Sequence, residues 1–170
     1  MRSYSFPPIA SPDSTVLILG SMPGKVSLRE RQYYAHPQNA FWNITGEILG
    51  FDPASAYTDR VSSLQNCRIA LWDVLESCTR EGSLDSRIDE STIVTNDFRR
   101  FFAAHPDIRL ICFNGAKAAA LYSRHVQPHL QGPFAHDHLR LPSTSPANAS
   151  ISRAEKLRAW RVIKRERPGR

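Results

Sequence analysis

The sequence predicts a three-layer α/β/α fold, a central and mainly parallel four-stranded sheet with helices on both faces. Two observations carry this. Short β-branched apolar runs alternate with stretches of helical periodicity, the pattern of strand–helix–strand crossovers rather than of hairpins. Each apolar run also stops on glycine, aspartate, asparagine or proline, as strands do where their carboxyl ends line a ligand-binding edge. At 170 residues with 41% hydrophobic side chains, the chain has the size of one domain and the means to bury a core.

Taken in order, residues 1–14 are rich in Ser and Pro and read as an extended lead-in to a single domain spanning residues 1–170. TVLIL at 15–19 reads as a buried strand. Phe41, Ile44, Ile48 and Leu49 recur at helical spacing and predict a helix over 40–49. RIALWDV at 68–74 is a second strand that ends on a polar residue. Residues 97–104, before His105-Pro106, read as a helix, and IRLICF at 108–113 as a third strand. Asn114-Gly115 closes that strand and a helix over Ala116–His125 follows. A fourth short strand at 139–141 ends at Pro142, and residues 152–166 form a basic terminal helix, with 165–170 a basic tail. In a parallel sheet, residues 20–24, Asp73, Asn114-Gly115 and residues 142–148 would share one edge.

The formal charge of +6 and an isoelectric point of about 9.6 favour a polyanionic partner. Much of the excess lies in ISRAEKLRAWRVIKRERPGR, so a solvated basic tail would produce the same sum. Three widely spaced cysteines, Cys67, Cys78 and Cys112, with no CxxC, argue against a zinc ribbon or a disulfide-stapled secreted fold and read as reduced thiols in a cytoplasmic protein. MRSYSFPPIASP has no apolar signal core, no run approaches the roughly 18 apolar residues of a membrane span, and no repeat is visible. A soluble protein without a membrane partner is expected, and a monomer.

Four stretches carry chemistry. GSMPG at 20–24 lacks both the GxGxxG fingerprint and a closing GK[ST]. It is either a tight strand-to-helix turn or a backbone loop pressed close to a ligand, which glycine permits. QYYAHPQN at 32–39 places two tyrosines in a loop where both cannot pack in a core. A tyrosine face can stack on a base, worth about 1–3 kcal/mol. Asn39 either holds a water by its carbonyl oxygen or caps the following helix, and His36 is as good a structural hydrogen-bonder as a catalyst. Asp73 ends an apolar strand beside Trp72, where a carboxylate is costly unless it is paired or functional. As a ligand group it would accept a ring N–H; otherwise it caps a helix or forms a salt bridge. PSTSPAN at 142–148 is either an ordinary turn or a loop of hydroxyls and backbone N–H groups suited to phosphates. Arg153, Lys156 and Arg158 follow it, as phosphate contacts or as a solvated helix face.

LILGSMPG followed by YYAHPQNAFW resembles the first motif of the uracil-DNA glycosylase superfamily. Gly20, Pro23 and Gly24 match its turn, and Tyr34, Ala35, His36, Pro37, Asn39, Phe41 and Trp42 match the stretch after it. LPSTSPAN at 141–148 occupies the place of the second motif, which contributes a DNA-intercalating loop. The similarity covers most of residues 15–165. Met22 stands where other branches carry the water-activating Asn or Asp, and a thioether cannot orient water. The pattern is therefore most similar to the hypoxanthine (deoxyinosine) branch, in which the Asn of the AHPQN stretch, here Asn39, carries the catalysis. Branches with an iron–sulfur cluster need four cysteines, so neither a cluster nor any other cofactor is expected.

The resemblance implies a base-excision repair enzyme whose partner is DNA containing a deaminated base, flipped out of the duplex into the pocket. Tyr34 would stack on the base, with Phe41 and Trp42 supporting the wall, and Gly20, Met22 and Asn114 completing the base-binding set with Asp73. Asp73 falls where the superfamily reads the base. Its carboxylate would accept hypoxanthine N1–H and repel the bare N1 of adenine. Asn39 would position water for attack at C1′. Ser143 and Ser145 would clamp flanking phosphates with Arg153, while Thr144 and Pro146 fill the vacated stack. With no lysine in the matched motifs, a monofunctional glycosylase is expected. The competing readings are a uracil- or xanthine-specific enzyme of the same fold, a DNA-binding module that lost catalysis, and a hydrolase of free nucleosides. The last would cleave free inosine and would need neither the tail nor the 142–148 loop.

Overall fold

The computed structural model describes residues 1–164; residues 165–170, the end of the expected terminal helix and the basic tail, lie outside the described residues. In chain order the elements are β1 (Arg2–Tyr4), β2 (Val16–Gly20), α1 (Lys25–Glu30), α2 (Phe41–Leu49), α3 (Tyr57–Asn66), β3 (Ile69–Asp73), β4 (Leu75–Arg80), β5 (Ile88–Thr95), α4 (Phe98–Ala104), β6 (Leu110–Asn114), α5 (Ala116–His125), β7 (Asp137–Leu141) and α6 (Arg153–Trp160). The expected four-stranded sheet is present, fully parallel, in the order β3-β2-β6-β7. Strand β2 lies inside it and is buried throughout, as a strand covered on both faces must be.

The alternation along β2 separates two cores. Leu17 and Leu19 point to the side packed by Phe98 and Phe102 of α4 and by Leu121 and Tyr122 of α5. Val16 and Ile18 point to the opposite side, against Phe41 and Ile44 of α2, Leu64 of α3, and Leu157 and Trp160 of α6. Period-two alternation thus produces the helix–sheet–helix layering. Two helix starts rest on polar caps: Asp97 accepts from Arg100 N–H at 3.0 Å, and Ser152 with Glu155 forms a reciprocal capping box at α6. The terminal helix expected over 152–166 ends as a helix at Trp160 and continues as a single tight turn over Arg161–Lys164.

Three features depart from the expectations. A second, antiparallel sheet of order β1-β4-β5 stands beside the first, made from residues read either as lead-in or as no element. Strand β5, IDESTIVT, is exposed over Asp89–Ser91, so it lacks the sustained apolar run that betrays a buried strand. The 1–14 segment is only partly an extended lead-in: β1 pairs with β4, and Ile9 bridges to Leu71 at the edge of the parallel sheet. Helices α1 and α3 carry no apolar periodicity to announce them, the first because it is six residues long, the second because Leu64 is its one buried side chain.

Trp160 ties α6 to the ligand edge. It is fully buried, packs edge-on to Phe41 at 5.9 Å, and donates its indole N–H to the Pro142 carbonyl at 2.9 Å. Trp160→Ala is expected to cost about 3–5 kcal/mol, read as a lower urea midpoint with an unchanged denaturant slope.

Candidate active site

The parallel register sets four strand ends level. Gly20 pairs with Asp73 across β2 and β3, and Asn114 with Leu141 across β6 and β7. A cavity of about 970 Å³ opens beyond this edge, lined by the 20–27 turn, Tyr34, Asn39, Asp73, residues 83–86 and the loop after β7.

Its floor is built on a close approach. A Cβ on Gly20 would lie 2.5 Å from Asp73 Oδ1 and 2.8 Å from the Tyr34 hydroxyl, so the carboxylate and the phenol both converge on a bare Cα. Asp73 is 4% exposed, and its Oδ2 and the Tyr34 hydroxyl have no hydrogen-bond partner among the described residues. Burial, reinforced by the charge of Asp85 and opposed by Arg80, pushes the Asp73 pKa up to about 7. Burial first, then the Asp73 charge, raises the Tyr34 phenol.

Tyr34 adopts a left-handed backbone, φ 51°, an uncommon conformation for a bulky residue. Three contacts around it impose this. Ser27 Oγ accepts Ala35 N–H at 3.1 Å, the Tyr33 carbonyl accepts the Trp42 indole N–H at 2.9 Å, and the Tyr34 ring stacks on Phe41 at 4.2 Å. As expected, the two adjacent tyrosines do not both pack in the core: Tyr34 is only partly buried and lines the cavity. Tyr33 is buried because the lead-in brings the Pro7 carbonyl to its hydroxyl at 2.9 Å. Phe41 lies wholly buried behind Tyr34 and off the cavity lining, so it backs the wall without reaching a ligand.

Asn39 contacts the start of α2 from one residue before the N-cap, Ala40, and also lines the cavity. Its Oδ1 accepts Phe41 N–H at 3.0 Å at the start of α2, which uses one lone pair and leaves one directed elsewhere; the side chain lines the cavity. His36 is exposed and accepts Gln38 N–H through Nδ1 at 3.1 Å, a turn-forming role. Met22 is buried in the turn and lines the cavity.

The 142–148 loop is clamped rather than free. Asn114 gives both ends of its amide to Thr144: Nδ2 donates to Oγ1 and Oδ1 accepts the backbone N–H, each at 2.9 Å. Asn114 lines the cavity with one amide N–H and one oxygen lone pair engaged by Thr144. Thr144 is 1% exposed, and its carbonyl accepts Ala40 N–H at 3.0 Å, which fastens this loop beside Asn39. A side chain so enclosed cannot enter a base stack, which corrects that expectation for Thr144; Pro146 remains exposed. Gly115, at φ +99°, is needed because a Cβ there would meet Ser143 Cβ at 2.9 Å. The Ser143 and Ser145 hydroxyl oxygens accept the N–H groups of Ser145 and Ala147, both at 3.2 Å, so their O–H bonds remain available to a ligand. Arg153 is not brought to the cavity: it pairs with Glu47 of α2 at 2.7 Å. Lys156 is buried, and Arg158 is exposed on α6.

A family model of the uracil DNA glycosylase superfamily matches residues 7–164. The chain belongs to that superfamily. A hypoxanthine DNA glycosylase of Methanosarcina acetivorans is 39% identical over 154 residues, covering 90% of this chain and 92% of that protein. A hypoxanthine DNA glycosylase of Methanosarcina barkeri is 41% identical over 119 residues, 69% of this chain and 74% of that one. A solution NMR structure from M. acetivorans, described as a candidate uracil DNA glycosylase, superposes with a TM-score of 0.80 at 36% identity over 97% of this chain and 98% of that one.

In this superfamily member, sequence reasoning missed what holds the 20–24 turn. Arg80 ends β4 with its side chain 1% exposed and donates to the carbonyls of Met22 and Pro23. It also pairs with Asp85 at 3.6 Å, and Asp85 accepts the Ser21 hydroxyl at 2.6 Å. Ser83 Oγ accepts Lys25 N–H at 2.9 Å. The small antiparallel sheet thus delivers an Arg–Asp brace to the cavity floor. An arginine closing an apolar-to-polar run with an aspartate five residues on was the available signal, and it is a weak one. Among the described residues no cluster of three or more His, Cys, Asp or Glu could hold a metal, and no helix is long and apolar enough to cross a membrane.

Two outcomes follow from the floor. Gly20→Ala must displace Asp73 or Tyr34, and is expected to lower stability by about 1–3 kcal/mol and to abolish turnover; calorimetry and an excision assay read the two effects. For Asp73, the folded pKa near 7 exceeds the ordinary 3.8. Its protonated form stabilises the fold below the lower value, and that contribution is lost as pH rises through the upper one. Asp73→Asn is therefore expected to be more stable than wild type above pH 7, with the gap closing as pH falls toward 4, measured as urea midpoints across that range.

Proposed function

We propose that this DNA glycosylase removes hypoxanthine, the base of deoxyinosine, by hydrolysis and leaves an abasic site. Membership of the superfamily and relatives of about 40% identity over most of the chain make it a DNA glycosylase hydrolase. The choice of hypoxanthine rests chiefly on Asp73, a buried carboxylate with an unpartnered oxygen at the end of the cavity. Two relatives named hypoxanthine DNA glycosylase support the same choice.

In this reading the purine enters the cavity with the exposed face of Tyr34 against its ring. The Asp73 carboxylate accepts N1–H, and a backbone N–H supplies the donor to O6. Adenine presents a lone pair at N1 and is rejected by an unpaired, repelled group, the kind of mismatch that discriminates strongly. Protonated Asp73 would lose that repulsion and could donate to adenine N1. Met22 adds an apolar wall and orients no water. The free lone pair of the Asn39 oxygen holds the water that adds to C1′ as the C1′–N9 bond breaks. The bonding pair departs with the purine while the sugar passes through an oxocarbenium-like state; the water gives its OH to C1′ and its proton, overall, to the purine. The Ser143 and Ser145 hydroxyls donate to phosphates beside the lesion. The mechanism needs no covalent amine and no cofactor, and a monomer in the cytoplasm suffices for it.

The test is base release from matched duplexes carrying deoxyinosine, deoxyuridine or deoxyxanthosine. Wild type is expected to excise hypoxanthine, with selectivity over adenine falling as pH drops below about 7. Asn39→Ala should lose about 10²–10⁴-fold in rate with DNA binding kept. Asp73→Asn should lose hypoxanthine excision and gain on uracil. Cleavage at deoxyuridine alone would overturn the reading of Asp73, and full turnover by Asn39→Ala that of Asn39.

A further inference from the structure

The pairing of Arg80 with Asp85 is poorly built for a brace alone. The Arg80 side chain is 1% exposed, yet the Asp85 carboxylate stands 3.6 Å from it, too far for a hydrogen bond. The Arg80 Nε is buried with no partner among the described residues. Its other two nitrogens donate to the carbonyls of Met22 and Pro23, a task an uncharged amide could perform. A charge buried with so little compensation is costly, and a buried pair of this kind is weak evidence of stabilisation. Satisfying the turn does not explain why the group is charged.

What lies within reach of that charge is set by the 20–24 turn. Strand register places Asp73 beside Gly20, with Oδ1 2.5 Å from where a Cβ would lie. Asp85 Oδ2 accepts the hydroxyl of the next residue, Ser21, at 2.6 Å. Arg80 holds the two residues after that. Consecutive Cα atoms are about 3.8 Å apart, so one short turn spaces two carboxylates and a guanidinium. Of the two carboxylates, only Asp73 has a buried oxygen without a partner among the described residues. Burial is the largest influence on the Asp73 pKa; Asp85 raises it further and Arg80 lowers it. Tyr33 and Tyr34 also face Asp73, but burial, then the Asp73 charge, raises both phenols and keeps them neutral. Lys117 of α5 acts on Asp85, whose carboxyl is raised by burial and lowered by Ser21, Arg80 and Lys117. Lys25, His36 and Arg140 complete the titratable side chains of the cavity lining.

We propose that Arg80 and Asp85 are positioning residues for base selectivity, acting through the Asp73 carboxylate with opposite charges: Arg80 strengthens its rejection of adenine and Asp85 weakens it. This rests on the reading of Asp73 given above and deepens it.

The experiment follows the Asp73 carboxyl by carbon-13 NMR in the free enzyme, its resonance assigned with Asp73→Asn. Release of hypoxanthine and of adenine from duplex DNA is measured over the same pH range. Asp85→Asn is expected to lower the Asp73 midpoint by about one pH unit or more and to carry selectivity against adenine down by the same interval. Arg80→Gln should move both upward, and the double variant should lie between the two. A brace without an electrostatic role predicts no such opposition, because both variants would loosen the same turn and erode selectivity alike. Shifts in one direction, an unmoved Asp73 midpoint in Asp85→Asn, or midpoints that move without selectivity following would overturn the proposal. If Arg80→Gln does not fold, Asp85→Asn decides: Asp85 is 39% exposed, and an asparagine oxygen still accepts from Ser21. The NMR titration reads Asp73 without turnover. Opposed midpoints in an enzyme that releases no hypoxanthine would therefore overturn the substrate reading and leave the charge control of Asp73 standing.

Discussion

The site depends on one close approach. Parallel register brings Gly20 level with Asp73, and the absence of a side chain at Gly20 lets a carboxylate and a phenol share the space above its Cα. Asp73 can be buried there with an oxygen unpartnered only because the surrounding structure over-determines its position. Its backbone is locked in the strand and its carbonyl accepts from the Asn96 amide at 2.8 Å. The elevated pKa is the electrostatic counterpart of that confinement, since desolvation disfavours the charged form.

The turn opposite Asp73 must be equally fixed. Val74 N–H and Leu75 N–H donate to the carbonyls of Gly20 and Ser21 at 2.8 and 3.2 Å, sewing the turn to the chain that leaves β3. Arg80 takes the next two carbonyls, and Asp85 neutralises Arg80. Every carbonyl from Gly20 to Pro23 is thereby engaged by a donor outside the turn. The small antiparallel sheet is part of the site for this reason: it carries the arginine to the floor and the 81–87 turn to the rim.

A second chain of contacts runs from Asn114 through Thr144 to Ala40, and so to Asn39. It joins the ends of β6 and β7 to the start of α2. The residue proposed to hold water and the loop proposed to hold phosphate are thus parts of one hydrogen-bonded unit, and Trp160 backs that unit through Pro142. Positioning of this kind is what a hydrolysis that depends on orienting one water requires.

The sequence by itself determined the parallel sheet, the layers on its faces and the edge where the cavity opens. Those features follow from local periodicity and from the residues that stop each strand, and 16–20, 69–73 and 110–114 carry both signals. It also singled out Gly20, Tyr34, Asn39 and Asp73. What it could not decide was which of two roles each polar residue takes. Tertiary structure assigned Arg153 to Glu47, Thr144 to the interior and Asn114 to the loop clamp, because hydrogen-bond partners 30 to 106 residues apart in sequence leave no local trace. The second sheet was settled at the same level: β5 is exposed over Asp89–Ser91 and carries no sustained apolar run, and its pairing with β4 makes it a strand.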